Sequence, residues 1–139
     1  MSKKYKLTDE TVKVNGKTLY RIEALKDFCG IKKGDKGGFI ESENNLAHDG
    51  DAWVSDDACV YDNARVSGNA RVYGEALVCG SACVYGYACV FDNACVYNNA
   101  SVSDYAQVYG NAIVCGNAWL YDSARVYGDT FVCRCRNIN

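Results

Sequence analysis

The chain has 139 residues, 49% of them apolar, with 15 Lys/Arg against 17 Asp/Glu and a formal charge of −2. That length suits one domain with a modest core, and the near balance of charge gives no general pull toward nucleic acid. No apolar run is long enough to span a bilayer, and MSKKYKLTDE has lysines with no apolar stretch behind them, so it does not read as a secretory signal. A reducing cytoplasm is then the expected compartment, where nine cysteines, an odd number, need an explanation other than a disulfide framework.

Residues 1–46 form the first unit. TVKVNGKTLYRI reads as a β-hairpin turning at Asn15-Gly16, a pair that accepts the positive φ of a two-residue turn. IEALKDF fits a short helix, and IKKGDKGGFIES fits a turn and a strand. The unit carries ten Lys/Arg against seven Asp/Glu, and the rest of the chain five against ten. Its expected job is to cap the array that follows, because repeat arrays need ends that stop further strand pairing.

Residues 47–136 repeat. From Val54 to Val132 an aliphatic residue returns every six positions, fourteen times, with Ala two positions before it (Thr130 at the last) and Gly, Asp, Asn or Ser mostly two and three after. In Ala-x-Val-x the side chains alternate, so Ala and Val share one face and the two x residues share the other. The following pair tolerates the left-handed backbone of a corner. A helix needs spacings of three and four, which a period of six does not supply. Four strand residues and two corner residues make one side of a triangle, and 18 residues close one coil, so residues 18 apart stack. The frame reaches back one hexad, with Leu46 and His48 in the Ala and Val positions. At the other end Arg134 and Cys135 take a corner and Arg136 an Ala position, where a charge stops a further coil; residues 137–139 are a tail.

These fourteen hexads resemble the hexapeptide-repeat, left-handed parallel β-helix family. The resemblance implies an all-β triangular solenoid of between four and five coils, behind a small N-terminal α/β cap; the handedness comes from the family alone. YKLTDE, RIEALKDF, GDKGGFIESENNL and GDAWVSDDA look like the YdcK-type proteins of bacteria and their phages. Those carry an acyltransferase label that rests on fold, and fold does not fix function.

Acyltransferases of this family use a histidine base near acyl-CoA held between subunits. His48 is the one histidine here, and a base needs a cleft and an orienting carboxylate. Asp49 and Asp51 point elsewhere if alternation holds, and no inserted loop builds a pocket wall, so catalysis is not the favoured reading. Metal is not expected either. Cys83, Cys89 and Cys95 fall on three different sides, whereas structural zinc needs four converging ligands. Cys115 and Cys133 stack one coil apart; a disulfide between them is within reach but disfavoured in a reducing compartment. No cofactor is implied.

The outward columns differ between sides. One side carries Cys59, Leu77, Cys95, Ile113 and Phe131 beside Tyr61, Cys79, Tyr97, Cys115 and Cys133, and none of the ten is charged. An uncharged patch of this kind marks an interface, which points to a homo-oligomer, a dimer or trimer. A second side carries a ladder of Tyr73, Phe91, Tyr109 and Tyr127. Beside it runs an acidic corner of Asp56, Asp57, Glu75, Asp92 and Asp129. Corners favour Asp for backbone reasons, and the sharper alternative is a stripe offered to a basic or nucleic-acid-handling partner. The third side carries Arg65, Cys83, Ser101 and Trp119 beside Ser67, Tyr85, Ser103 and Tyr121. The reading is a non-catalytic interaction protein that self-associates, with a host protein complex as a further partner on the phage resemblance; no membrane or direct nucleic-acid contact is expected. An acyl-CoA-dependent acyltransferase with an inter-subunit site and a structural assembly component are the alternatives.

Overall fold

A computed structural model describes residues 3–134. Strands β1 (Tyr5–Val14) and β2 (Lys17–Ala24) form the expected hairpin, with Asn15 at φ 51° and Gly16 at φ 79° in the turn. IEALKDF forms no helix. Ile22 and Ala24 end β2 with both side chains buried at strand spacing, and Phe28 bridges to Ile31. Pairing with β1 buries that alternating pattern, which one turn of helix could not do. The N-terminal unit is therefore all-β among the described residues, with β3 (Lys36–Ile40) and a 3-10 turn at Glu43–Asn45.

Fourteen short parallel strands follow, each at an Ala-x-Val-x segment. The first side holds β4 (Trp53–Val54), β7 (Arg71–Val72), β10 (Cys89–Val90), β13 (Gln107–Val108) and β16 (Arg125–Val126). The second holds β5 (Cys59–Val60), β8 (Leu77–Val78), β11 (Cys95–Val96), β14 (Ile113–Gly116) and β17 (Phe131–Arg134). The third holds β6 (Arg65–Val66), β9 (Cys83–Val84), β12 (Ser101–Val102) and β15 (Trp119–Leu120). Partners are 18 residues apart throughout, as in Val60↔Val78 and Val78↔Val96. The Ala and Val columns are fully buried from Ala52 and Val54 to Ala112 and Val114. The corner residue two before each Ala, and before Thr130, has φ between 53° and 71° from Gly50 to Gly128. At four of these corners the residue is an Asp that also accepts a backbone N–H from the next coil: Asp56 from Gly74 and Asp92 from Gly110, both at 3.1 Å, Asp62 from Gly80 and Asp104 from Asp122.

The first coil's exposed carbonyls find donors in residues 3–47. β3 lies parallel to β5, and Phe39 N–H and Glu41 N–H donate to Ala58 O and Val60 O. Lys4 Nζ donates to Ala52 O at 2.6 Å and Gly50 O at 3.3 Å. Arg21 Nη1 reaches Asp56 O at 3.1 Å, and Asn45 Nδ2 reaches Ala64 O at 2.8 Å and Asp62 O at 3.2 Å. A strand edge that would otherwise be open is thus occupied by side-chain donors and one strand. Gly37 and Gly38 permit the approach: a Cβ on Gly38 would sit 2.7 Å from both Ala58 O and Val54 Cγ1.

The frame before Ala52 differs from simple counting. Leu46, not His48, fills the aliphatic column: it is fully buried and bridges to Val66, and Ala47 N–H donates to Val66 O. His48 and Asp49 are then two extra residues that bulge at the corner before Gly50 restores the register. The larger apolar side chain takes the core position and the polar ring stays at the rim.

Candidate interaction surfaces

His48 is held on all sides. Its ring stacks on Tyr5 at 4.2 Å between centroids. Nδ1 accepts from the Lys4 amide N–H at 3.1 Å, which places the proton on Nε2, and Nε2–H donates to Glu43 Oε1 at 2.8 Å. Both ring nitrogens are thus engaged by the protein itself. The orienting carboxylate is Glu43, on the 3-10 turn, rather than Asp49 or Asp51. The bond from His48, assisted by Lys3 at 3.2 Å, holds the Glu43 carboxyl below its ordinary range. Tyr5 donates its hydroxyl to Leu46 O at 2.6 Å, and burial raises its pKa. Lys4 lies fully buried beneath this group, 5.1 Å from the Phe28 ring centroid, and burial pulls its pKa down to about 8.

The uncharged second side is shared with the hairpin. Leu19 and Phe39 cover Cys59 and Tyr61, and all four are buried as a small core outside the solenoid, flanked by Val12, Val14, Leu77 and Cys79. Asn15 Nδ2 donates to the Tyr61 hydroxyl at 2.9 Å. Cys59 and Tyr61 are therefore unavailable to a partner. Cys115 is buried and bonded to Cys133 in a disulfide, with Cα atoms 4.4 Å apart. This departs from the expectation of free thiols: parallel stacking brings the two backbones together whatever the compartment. What remains outward is Leu77, Cys79, Cys95, Tyr97 and Ile113, half-buried, with Phe131 64% exposed.

On the first side Tyr73, Phe91, Tyr109 and Tyr127 form one continuous stack, with centroids 4.9, 4.9 and 5.3 Å apart and planes within 13°. Rings stacked along the axis present edges and hydroxyls outward. Of the acidic corner, Asp56 and Asp92 serve the backbone bonds given above. Asp57 pairs with Arg21 at 3.2 Å and Asp129 accepts from Asn111 Nδ2 at 3.4 Å.

The third side was underestimated from sequence. Tyr85, Tyr87, Tyr105, Trp119 and Tyr121 are between 38% and 62% exposed. Tyr87 and Tyr105 stand on the corner between the third and first sides, stacked at 5.1 Å and 4°. Their separation of 18 residues was the signal that could have found them.

The family model for the YdcK β-solenoid repeat matches residues 58–74, 64–80 and 106–122, each within the coils just described. The chain is a β-solenoid repeat protein of the YdcK type. No curated protein matches it.

In this YdcK-type solenoid a concavity does occur, contrary to the expectation from uninterrupted hexads. The hairpin tip overhangs the corner after β5 and leaves an open polar space of about 610 Å³ lined by Lys17, Glu41, Ser42, Asp62, Asn63 and Ser81. Its carboxylates are in use: Asp62 pairs with Lys17 at 2.8 Å and accepts from Gly80 N–H, and Glu41 accepts from Asp62 N–H. The Lys17 contact and then the Gly80 amide hold the Asp62 carboxyl below its ordinary range. Burial raises the pKa of Cys79, Cys89 and Cys95, and takes Cys59 up to about 11, so these thiols stay protonated and unreactive at neutral pH. Among the described residues no three His, Cys, Asp or Glu side chains converge as metal ligands, and no helix is long and apolar enough to cross a membrane. Cys135 and Arg136 and the tail at 137–139 lie outside the described residues.

Proposed function

We propose that this YdcK-type solenoid is a non-catalytic binding scaffold that pairs with a second copy of itself through the second side. The carrying observation is the half-buried strip of Leu77, Cys79, Cys95, Tyr97 and Ile113, ending in the exposed Phe131 and without a charge along it. Water is displaced from such a strip at little desolvation cost, and a rigid flat sheet loses little entropy on docking. The engagement of both His48 nitrogens supports a structural role for that residue over acyl transfer. The phage resemblance of the N-terminal wording supports a host protein complex as a further partner.

Size-exclusion chromatography with light scattering tests the pairing. The wild type should run at twice the monomer mass at micromolar concentration, and Leu77→Lys or Ile113→Lys should return it to monomer. A wild-type monomer, or a dimer untouched by both changes, would refute the reading.

A further inference from the structure

Strand β17 is held differently from the solenoid strands below it on the second side. From β5 to β14 the inward Val60, Val78, Val96 and Val114 are fully buried, and so is the Ala before each, from Ala58 to Ala112. In β17 Thr130 takes the Ala position and is exposed, Val132 is only partly buried and Phe131 is 64% exposed. Little apolar burial therefore holds this strand down. It pairs with β14 along one edge and is the outermost strand of its sheet among the described residues. β15 and β16 also lie outermost, but each is followed by another described strand that fixes its far end. What replaces burial in β17 is covalent. Cys115 and Cys133 are direct partners in the ladder, with Cα atoms 4.4 Å apart and their sulfurs joined. The two residues are unequal: Cys115 is 1% exposed, whereas Cys133 lies exposed. Attack on the bridge is therefore open from the Cys133 side. The other six cysteines among the described residues are free thiols.

We propose that Cys115–Cys133 is a redox clasp: its reduction frees β17 from β14 and loosens the outer end of the pairing strip. Control of pairing rests on the second side being the self-association surface, because Phe131 completes that strip only while β17 is docked. The step is thiol–disulfide exchange with a dithiol reductant. A thiolate of the reductant attacks the Cys133 sulfur, and the Cys115 sulfur leaves and takes a proton. The second thiol of the reductant then displaces the Cys133 sulfur, which takes the second proton. The dithiol becomes a disulfide as the protein disulfide becomes two thiols, so two electrons and two protons pass to the protein. Without the bridge, β17 is left with backbone bonds at an open edge, where local opening costs least. The bond from Ile113 N–H to Thr130 O, 3.0 Å, is one that such opening breaks. β14 stays paired with β11, so the coils below keep their place.

The test uses the full chain carrying Cys135→Ser, which removes the cysteine outside the described residues. It is oxidised with diamide and then reduced with dithiothreitol, and alkylation with mass spectrometry checks each state. The oxidised form should hold its bridge between Cys115 and Cys133. Reduction should speed exchange of the Ile113 amide proton, read by NMR, by about tenfold or more. The Cys95 amide, bonded to Ala112 O one coil below, should not change. Cys133→Ser should exchange at the reduced rate with or without dithiothreitol. By light scattering, reduction should raise the dissociation constant of the dimer about tenfold, and Phe131→Ala should remove most of that redox difference. Failure of Cys115 and Cys133 to bridge, or Ile113 exchange that is equal in both redox states, would overturn the clasp. A dimer whose dissociation constant ignores reduction while Ile113 responds would overturn its control of pairing. An oxidised chain that is monomeric would refute the pairing surface and that control with it, and Ile113 exchange would still decide the clasp.

Discussion

Replacing Lys4 with Met tests how the first coil is closed. The Lys4 ammonium is fully buried, held by Ala52 O and Gly50 O, and burial pulls its pKa from the ordinary 10.5 to about 8. The folded pKa is depressed, so between pH 8 and 10.5 the unfolded chain binds more protons than the folded one, and stability rises with pH across that window. At about 1.4 kcal/mol per pH unit, the displacement amounts to about 3 kcal/mol that the folded state bears below pH 8 and sheds by pH 10.5. Methionine has the length but neither the charge nor the donors. Near neutral pH it relieves that cost and orphans two carbonyls, at roughly 1–3 kcal/mol each, so Lys4→Met should be close to neutral or moderately destabilising there. Raising the pH should then widen the gap in favour of wild type by about 3 kcal/mol. Cys59, pushed up to about 11, and Tyr61, pushed up to about 12 by burial and the Cys79 thiol, lower stability in alkali in both proteins and cancel in the difference. Urea unfolding followed by circular dichroism at about pH 7, 8.5 and 10 measures the gap. Wild-type and variant stabilities that run parallel with pH would refute a buried, charge-bearing Lys4.

Substitutions at two glycines probe the backbone. Gly38→Ala should cost roughly 1–3 kcal/mol in thermal or urea melts, since its Cβ would meet Ala58 O and Val54 Cγ1 at 2.7 Å and β3 would have to lift from the first coil. At Gly110, with φ 67°, a Cβ would meet Gly128 N at 2.8 Å, so Asp should be accepted only with a small shift of the corner toward the φ of 57° and 59° that Asp56 and Asp92 adopt, each with a bond to the coil above. Val at Gly110 should cost about 1–2 kcal/mol more than Asp in the same melts, from the left-handed backbone alone.

The hexad pattern made the coils legible because one rule, inward Ala and Val with a left-handed corner, acts at every repeat and nothing competes with it. Where a second interaction entered, counting failed. Leu46 displaced His48 from the aliphatic column because burial of a leucine outweighs keeping the frame. Ile22 and Ala24 followed the hairpin because their spacing of two could be buried against β1, and the helical tendency of the surrounding residues could not match that. Lys4, Arg21 and Asn45 were illegible as plugs, since their carbonyl partners lie between 17 and 48 residues further on. The candidate surfaces were half legible: the uncharged columns follow from stacking, but the hairpin folding over Cys59 and Tyr61 is a tertiary event with no periodic signature. Trp119 was visible as an outward residue, while the bond from its Nε1–H to Ser103 Oγ required knowing which way the indole turns.

The cysteines follow from the same geometry. Small thiols alternate with larger groups up the second side: Cys59, Leu77, Cys95, Ile113 in one column and Tyr61, Cys79, Tyr97 in the other. Alternation sets cysteines of one column two coils apart, about 9.6 Å, beyond the roughly 7 Å that a disulfide can bridge. Diagonal neighbours such as Cys79 and Cys95 sit about 7–8 Å apart, and burial keeps both thiols protonated. Cys83 and Cys89 belong to different sides and meet no other cysteine in their columns. Cys115 and Cys133 alone among the described residues break the alternation, directly stacked as Cα partners in β14 and β17. The disulfide forms where the alternation lapses, and it ties the last described strand to the coil before it. A column of alternating small and bulky groups therefore does two things at once: it packs side chains of unequal size against their neighbours, and it holds the thiols of one column beyond disulfide distance without any charge to separate them.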